Sequence, residues 1–371
     1  MDLHITRDQL TVGLARVQGI VEKRATHPQL EHAFLQAQGN QLRIVATDST
    51  IQLTADYEAR VDAEGIASTS AAVFFQVLKS LAAPVVRLRT VGNKIKVTAG
   101  SAEFNLNTLP AEDFPHMPKV TSKASLSVSG GAFKRMIEET AFCISKDDNR
   151  YGLNGAHLEE THGASGDPRL RLVTTDGSRL AWSETPFEGV FAMGARMLLP
   201  RKVLQEMKKL IEKDDDVWQV GFGDRAAIFT GPGLSFQSRL MDGDFPDYRQ
   251  VVPAAFRRRL EVERDAFSAA LRRTSIMASD RNRSVRFSFE PGRLVVSAQN
   301  LDAGDAREEI PAELSGEPIQ TGFNVAYFQD VLGATRSDRV RLELSEPLDP
   351  CILRLPDRDD CLFVVMPMRL D

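Results

Sequence analysis

The chain has 371 residues, 46 Lys and Arg against 51 Asp and Glu, a formal net charge of −5, and 42% hydrophobic and 26% charged residues. That balance lies close to the globular average and excludes a disordered or fibrous polypeptide. No run approaches the ~18 apolar residues of a membrane span, the opening MDLHITRDQL lacks the basic and apolar segments of an export signal, and Cys143, Cys351 and Cys361 are too few for a disulfide framework. A soluble, cytoplasmic chain with small core cysteines is expected.

From the N-terminus, LHITRDQLTVGL places Leu3 and Ile5 at strand alternation and then Leu10, Leu14, Val17 and Val21 along one helical face, with Thr6 as N-cap. A second helix follows in SAAVFFQVLKSL, its apolar pair read as Phe75 and Leu78. The stretch VRLRTVGNKIKVTAGSAEFNLNTL then alternates around Gly92 and Asn93 as an antiparallel hairpin, and HMPKVTSKA reads as a linker.

The same text begins again at LSVSGGAFKRMI, with Leu126, Val128, Phe133 and Ile137 at offsets 0, 2, 7 and 11, as in the first copy, and Ser129 as N-cap. PRKVLQEMKKLI supplies the second helix, with Leu204, Met207 and a first-turn Pro200. VWQVGFGDRAAIF turns at Gly223 and Asp224, and VVPAAFRRR reads as a second linker. A third copy opens at LEVERDAFSAAL with Leu260, Val262, Phe267 and Leu271, where Glu263 stands at the cap position and reads as a weaker cap. RFSFEPGRLVVSA turns at Pro291 and Gly292, NVAYFQDVLGAT carries Phe328 and Val331, and the chain closes with CLFVVMPMRLD.

The copies start at residues 3, 126 and 260, spacings of 126 − 3 = 123 and 260 − 126 = 134, with 371 − 260 = 111 residues after the third. These are domain lengths, not solenoid repeats. The expected fold is α+β: three similar domains, at 1–121, 125–252 and 257–371, each with two helices packed on antiparallel sheet.

Chemistry-bearing motifs are sparse. GFGDRA matches the dinucleotide fingerprint in form but is followed by strand text, so a hairpin turn is the better reading. There is no Gly-rich loop ending in Gly-Lys-Ser/Thr, the histidines lack metal spacing, and TDGSR around Ser178 is not a nucleophile elbow. No catalytic residue, metal or cofactor is expected. Lys and Arg gather on the recurring helices and their end loops, among them Arg16, Lys23, Arg24, Lys134, Arg135, Arg150, Lys202, Arg272 and Arg273. By charge alone this is either a surface that tracks phosphates or a set of solvated helix faces.

RYGLNG at 150–155, TTDGSRLA at 174–181, DGDFPDYRQVVP at 242–253, GFNVAY at 322–327 and VVMPMRL at 364–370, in order on a threefold repeat, resemble the beta subunit, or sliding clamp, of bacterial DNA polymerase III from residue 1 to 371. The resemblance implies a head-to-tail homodimeric ring, the DNA-clamp fold, whose helices line a hole for double-stranded DNA irrespective of sequence. DNA contacts carried over are Arg24, Lys134, Arg135, Arg150, Tyr151, Lys202, Arg272 and Arg273. The implied dimer contact joins Phe104 and Leu106 to Ile276 and Met277. A groove at Leu153, Thr175, Gly177, Arg179, Leu180, Pro246, Val251, Val364, Met366, Pro367 and Met368 would take peptides of the polymerase III catalytic subunit, the clamp loader, other polymerases and repair proteins. Ser178, Gln250, Asn282, Gly152 and Asp371 depart from the family text. Two other readings stay open: an adaptor that binds peptides without encircling DNA, and an enzyme using Asp176, Arg179 and Tyr248.

Overall fold

The computed structural model describes residues 1–22, 26–122, 124–147, 149–163, 165–191, 197–253, 255–278, 283–300 and 302–369. Among them are six α-helices: α1 (Arg7–Val17), α2 (Ala71–Ser80), α3 (Gly130–Thr140), α4 (Arg201–Leu210), α5 (Arg264–Thr274) and α6 (Val325–Ala334). Each begins directly after a strand, so a cap must turn extended backbone into helix without leaving amides bare. Thr6 Oγ1 accepts from Gln9 N and Ser129 Oγ from Ala132 N, as their positions predict. Glu263 is a stronger cap than its residue type suggests: its carboxylate takes Asp265 N at 3.0 Å and Ala266 N at 2.6 Å.

Two other expectations shift by one residue. Phe74, not Phe75, is the buried partner of Leu78, while half-exposed Phe75 lies beneath Lys79 Nζ, 5.4 Å from its ring centroid. An i, i+4 pair shares a helical face, which makes Phe74, Leu204 and Phe328 the equivalent buried residues of α2, α4 and α6. Pro200 ends the strand Met197–Pro200 and so precedes α4 instead of sitting in its first turn. The GFGDRA segment is the hairpin between Val217–Phe222 and Ala226–Gly231.

The chain divides into two compact units, each built on one continuous antiparallel sheet that crosses from one repeat to the next. In the first unit, the central repeat's Leu234–Arg239 pairs with the first repeat's Ile51–Glu58, setting Phe236 opposite Leu53. In the second, the third repeat's Arg358–Val365 pairs with the central repeat's Arg179–Pro186, setting Phe363 opposite Ala181. That joint is also bound through a buried carboxylate: Glu139 on α3 accepts from Ser183 Oγ at 2.6 Å and from Arg358 Nη1 at 2.7 Å. Phe267, Phe287, Phe323 and Phe328 fill the core of the third repeat, and Cys143, Cys351 and Cys361 are free thiols buried in that same cluster. No described helix is long and apolar enough to cross a membrane.

Candidate functional site

An apolar cavity of about 190 Å³ opens in the second unit where the central and third repeats join. It is lined by Leu153, Thr175, Gly177, Arg179, Leu180, Pro246, Val251, Val364 and Met366, nine of the eleven groove positions carried over from the sequence. The two others continue along the chain beyond the lining, Met368 N donating to Gly322 O at 2.8 Å. Asp247 and Tyr248 complete the wall. Their signal was present in the PDYR text, where Asp247 caps a 3-10 turn, Tyr248–Val251, by accepting from Arg249 N.

The floor is core. Leu180 and Val364 face each other across the joint between repeats, packed with Val173, Trp182, Leu198 and Phe245. Along one side runs the turn after Thr175. Asp176 Oδ1 accepts from Ser178 N and Arg179 N, Thr175 Oγ1 caps Gly177 N, and Gly177 takes φ 87°, a conformation that favours glycine. Arg179 is held rigidly: Nε bonds Asp176 at 3.0 Å, Nη2 bonds Phe142 O at 2.8 Å, Nη1 bonds Asp330, and the guanidinium stacks 4.6 Å from the Tyr327 ring centroid. The cavity therefore has one preorganised edge at Arg179 and mostly apolar walls, interrupted by Thr175 and Asp247, a shape suited to anchoring apolar side chains. Gly152 has a packing reason, since a Cβ there would sit 2.5 Å from Asp244 O. Of the other departures from the family text, Asn282 and Asp371 lie outside the described residues.

Beneath the opposite wall lies a polar network. Tyr248 donates its hydroxyl to Glu159 Oε1, Arg249 Nη2 bonds Glu159 Oε2 at 2.8 Å, and His157 Nε2 lies 3.4 Å from the same oxygen. Arg171 bonds Tyr248 Oη at 3.1 Å and Glu184 at 2.6 Å, and covers the Trp182 ring. Burial pushes the Glu159 carboxyl up, but the bonds from His157 and Tyr248 and the Arg249 charge overcome this and hold it at about 2. Burial and the bond to Glu159 push the Tyr248 hydroxyl up to about 12. The enzyme alternative grouped Asp176, Arg179 and Tyr248; the structure ties the first two together but engages Tyr248 with Glu159 and Arg171 instead.

The candidate DNA contacts are distributed and mostly engaged. Arg24 lies outside the described residues, as does the side chain of Tyr151. Lys134 and Arg135 are half-buried on α3, the latter paired with Asp360 at 3.2 Å. Arg150 is exposed and bonds Asp176 O at 2.9 Å. Lys202 Nζ bonds Asp48 at 2.6 Å and Ile20 O at 3.1 Å. On α5, Arg273 forms a two-pronged pair with Glu308 while Arg272 is exposed. Of the candidate dimer contacts, Leu106 is buried and Phe104 half-buried on the strand Ala102–Leu109, and Ile276 is 73% exposed beside half-buried Met277 in the turn after α5.

Three family models match in order: the N-terminal domain of the DNA polymerase III beta subunit over residues 1–118, its central domain over 127–247 and its C-terminal domain over 249–369. A beta sliding clamp from Caulobacter vibrioides is 32% identical over 374 residues, and one from Pseudomonas aeruginosa 33% identical over 372, each alignment covering 100% of both chains. Among solved structures, a sliding clamp from Bartonella birtlesii bound to griselimycin superposes with a TM-score of 0.94 at 30% identity, covering 100% of both chains. A Pseudomonas aeruginosa clamp bound to griselimycin gives 0.92 at 32% identity, again over 100% of both chains.

Proposed function

The chain belongs to the DNA polymerase III beta subunit family, and from that membership we propose that two copies close head to tail into a ring around duplex DNA, a sliding clamp that keeps the replicative polymerase at its template. It is a non-catalytic processivity factor: retention by linkage, not chemistry, raises the effective concentration of the polymerase at the primer end. Partners are double-stranded DNA, a second copy of the chain, the polymerase III catalytic subunit, the clamp loader, and other polymerases and repair proteins carrying clamp-binding peptides. Domain limits of 1–121, 125–252 and 257–371 and a cytoplasmic location belong to the same reading.

One observation carries ring closure. Each joint between repeats inside the chain pairs the third residue of one repeat's strand, Leu53 or Ala181, with a phenylalanine of the next repeat's closing strand, Phe236 or Phe363. The remaining strands of these two kinds have open edges among the described residues. Ala102–Leu109 pairs with Lys94–Ala99, but on its other side only Thr108 and Leu109 pair. Gly304–Ser315 pairs with Arg293–Asn300 through Pro311, and on its other side only from Ala312 onward. Repeating the internal register between two copies puts Phe104 opposite Ala306 and Glu103 opposite Arg307, a heterologous contact that closes and covers both edges. The halves of the joint would be extended by Leu106, Ile276 and Met277.

DNA contact by Arg24, Lys134, Arg135, Arg150, Tyr151, Lys202, Arg272 and Arg273 would be to phosphates, which positions the duplex without reading sequence and so permits sliding. The groove, with Pro367 and Met368 extending it, would take partner peptides through apolar anchors, and griselimycin is expected to occupy it. Two measurements test the reading. Phe104→Cys with Ala306→Cys should yield a covalent dimer on mild oxidation, since directly opposed antiparallel residues have Cα atoms ~5 Å apart, within the span of a disulfide. Loaded by a clamp loader onto nicked circular DNA, the protein should persist in high salt and leave once the circle is cut; equal loss from circular and linear DNA would defeat encirclement.

A further inference from the structure

Resting on the groove reading above, we infer that Glu159, which lines no part of the cavity, is a positioning residue for it: one carboxylate holds the Pro246–Val251 wall in binding shape through Tyr248 and Arg249.

The wall has little backbone structure to fix it. Between the strand Leu234–Arg239 and the strand Arg258–Glu263 its regular element is the four-residue 3-10 turn Tyr248–Val251, whose closing bonds, Gln250 N to Asp247 O and Val252 N to Arg249 O, are both 3.4 Å long. Its register against the central repeat is therefore set by side chains. Phe245 stacks on His157 with centroids 5.2 Å apart and planes at 12°, an apolar contact that leaves the wall free to slide. Directional restraint comes from Tyr248 and Arg249, and both end on Glu159, which stands on the strand Gly155–His162. Arg171 bonds the same phenol from the neighbouring strand and is itself fixed by Glu184 and Trp182, so the anchor is rigid on the sheet side.

Tyr248 and Val251 begin and end the turn and both line the cavity, so a displaced Tyr248 opens the pocket that Pro246 and Val251 close. Hydrogen bonds to an ionised partner are worth more than neutral ones, and removing the carboxylate leaves the buried Tyr248 phenol and the Arg249 guanidinium without their common acceptor. The cost falls on a segment with few other restraints, so it emerges as lost preorganisation at the groove.

Calorimetric binding of griselimycin to the full chain tests this, with Val251→Asp as the control that places the ligand on the wall. We expect Glu159→Ala to weaken binding ~10-fold and Tyr248→Phe about 3-fold, in line with losing a charge-assisted bond or one of its donors. Glu159→Gln, which keeps an acceptor for the phenol, should restore part of the loss. Because both changes break one tether, Glu159→Ala with Tyr248→Phe should bind no more weakly than Glu159→Ala alone. Should Glu159→Ala fail to fold, the Glu159→Gln and Tyr248→Phe pair completes the same cycle. Unchanged affinity in the Glu159 variants, or additive losses, overturns the positioning role while the groove stands; a wild-type chain that does not bind griselimycin removes the groove reading and this inference with it.

Discussion

Glu159 gathers three donors from two elements: His157 on its own strand, and Tyr248 and Arg249 on the groove wall. Burial alone would favour the neutral acid; the donors reverse that and hold the carboxyl at about 2 against an ordinary 4.5. With the folded value below the unfolded one, the ionised group stabilises the fold fully above about pH 4.5 and loses that contribution as pH falls toward 2. Urea midpoints of wild type and Glu159→Gln should therefore differ by a constant amount from pH 8 to about 5 and converge between 4.5 and 2; a constant gap down to pH 2 would mean that the charge of Glu159 contributes nothing. Sequence text alone had no route to this residue. Glu159 and Tyr248 lie 89 positions apart, and nothing in the periodicity of either strand or turn pairs them, whereas Leu180, Val364 and the Thr175–Arg179 turn were reachable through the resemblance of TTDGSRLA and VVMPMRL to the clamp family.

Helix register shows where local pattern suffices and where it does not. The three opening helices were legible because strand alternation, a cap position and an i, i+4 apolar pair agree on one frame. In α2 two adjacent phenylalanines offer two frames, and the choice falls to Ser70, which caps Val73 N at 3.4 Å and turns Phe74 inward. Phe74→Ala should then cost about 3–5 kcal/mol of unfolding free energy, the usual price of emptying a buried aromatic site, and Phe75→Ala less than about 1 kcal/mol. Denaturant unfolding of both variants decides it, and equal losses would return the buried role to Phe75. Glu263 caps better than its residue type suggests for a related reason: cap rankings weigh short side chains that reach one amide, while the longer Glu263 carboxylate spans two. The sheets that run on from one repeat to the next were not legible at all, because edge pairing between Leu234–Arg239 and Ile51–Glu58 depends on where whole domains meet and leaves no mark on either strand's alternation.

Across the whole molecule, a net charge of −5 coexists with cations on the recurring helices, and several of those cations are neutralised in the free chain. Lys202 is the clearest case. Asp48 divides its carboxylate between two tasks, Oδ1 taking Thr50 N, Thr50 Oγ1 and Ile51 N to hold a turn, and Oδ2 taking Lys202 at 2.6 Å. Burial raises the Asp48 carboxyl, but the bonds from Lys202 and Thr50 and the amide of Ile51 prevail and lower it, so this carboxylate stays ionised at neutral pH. On the proposed reading, half-buried Lys202 would reach a phosphate only by giving up the carboxylate, an exchange expected to weaken grip on DNA and favour sliding over pinning. Asp48→Asn keeps the acceptor that the turn needs and removes the competitor for Lys202. Each cation newly applied to phosphate steepens the dependence of log affinity on log salt by about 0.9 for duplex DNA. Fluorescence anisotropy of a short labelled duplex, titrated at several salt concentrations, should accordingly show tighter low-salt binding and a steeper slope for Asp48→Asn than for wild type, with Lys202→Ala added to Asp48→Asn returning the slope. Identical slopes for all three chains would place Lys202 away from the duplex and transfer the phosphate contact to other cations, Arg272 first, since its guanidinium is exposed at the end of α5.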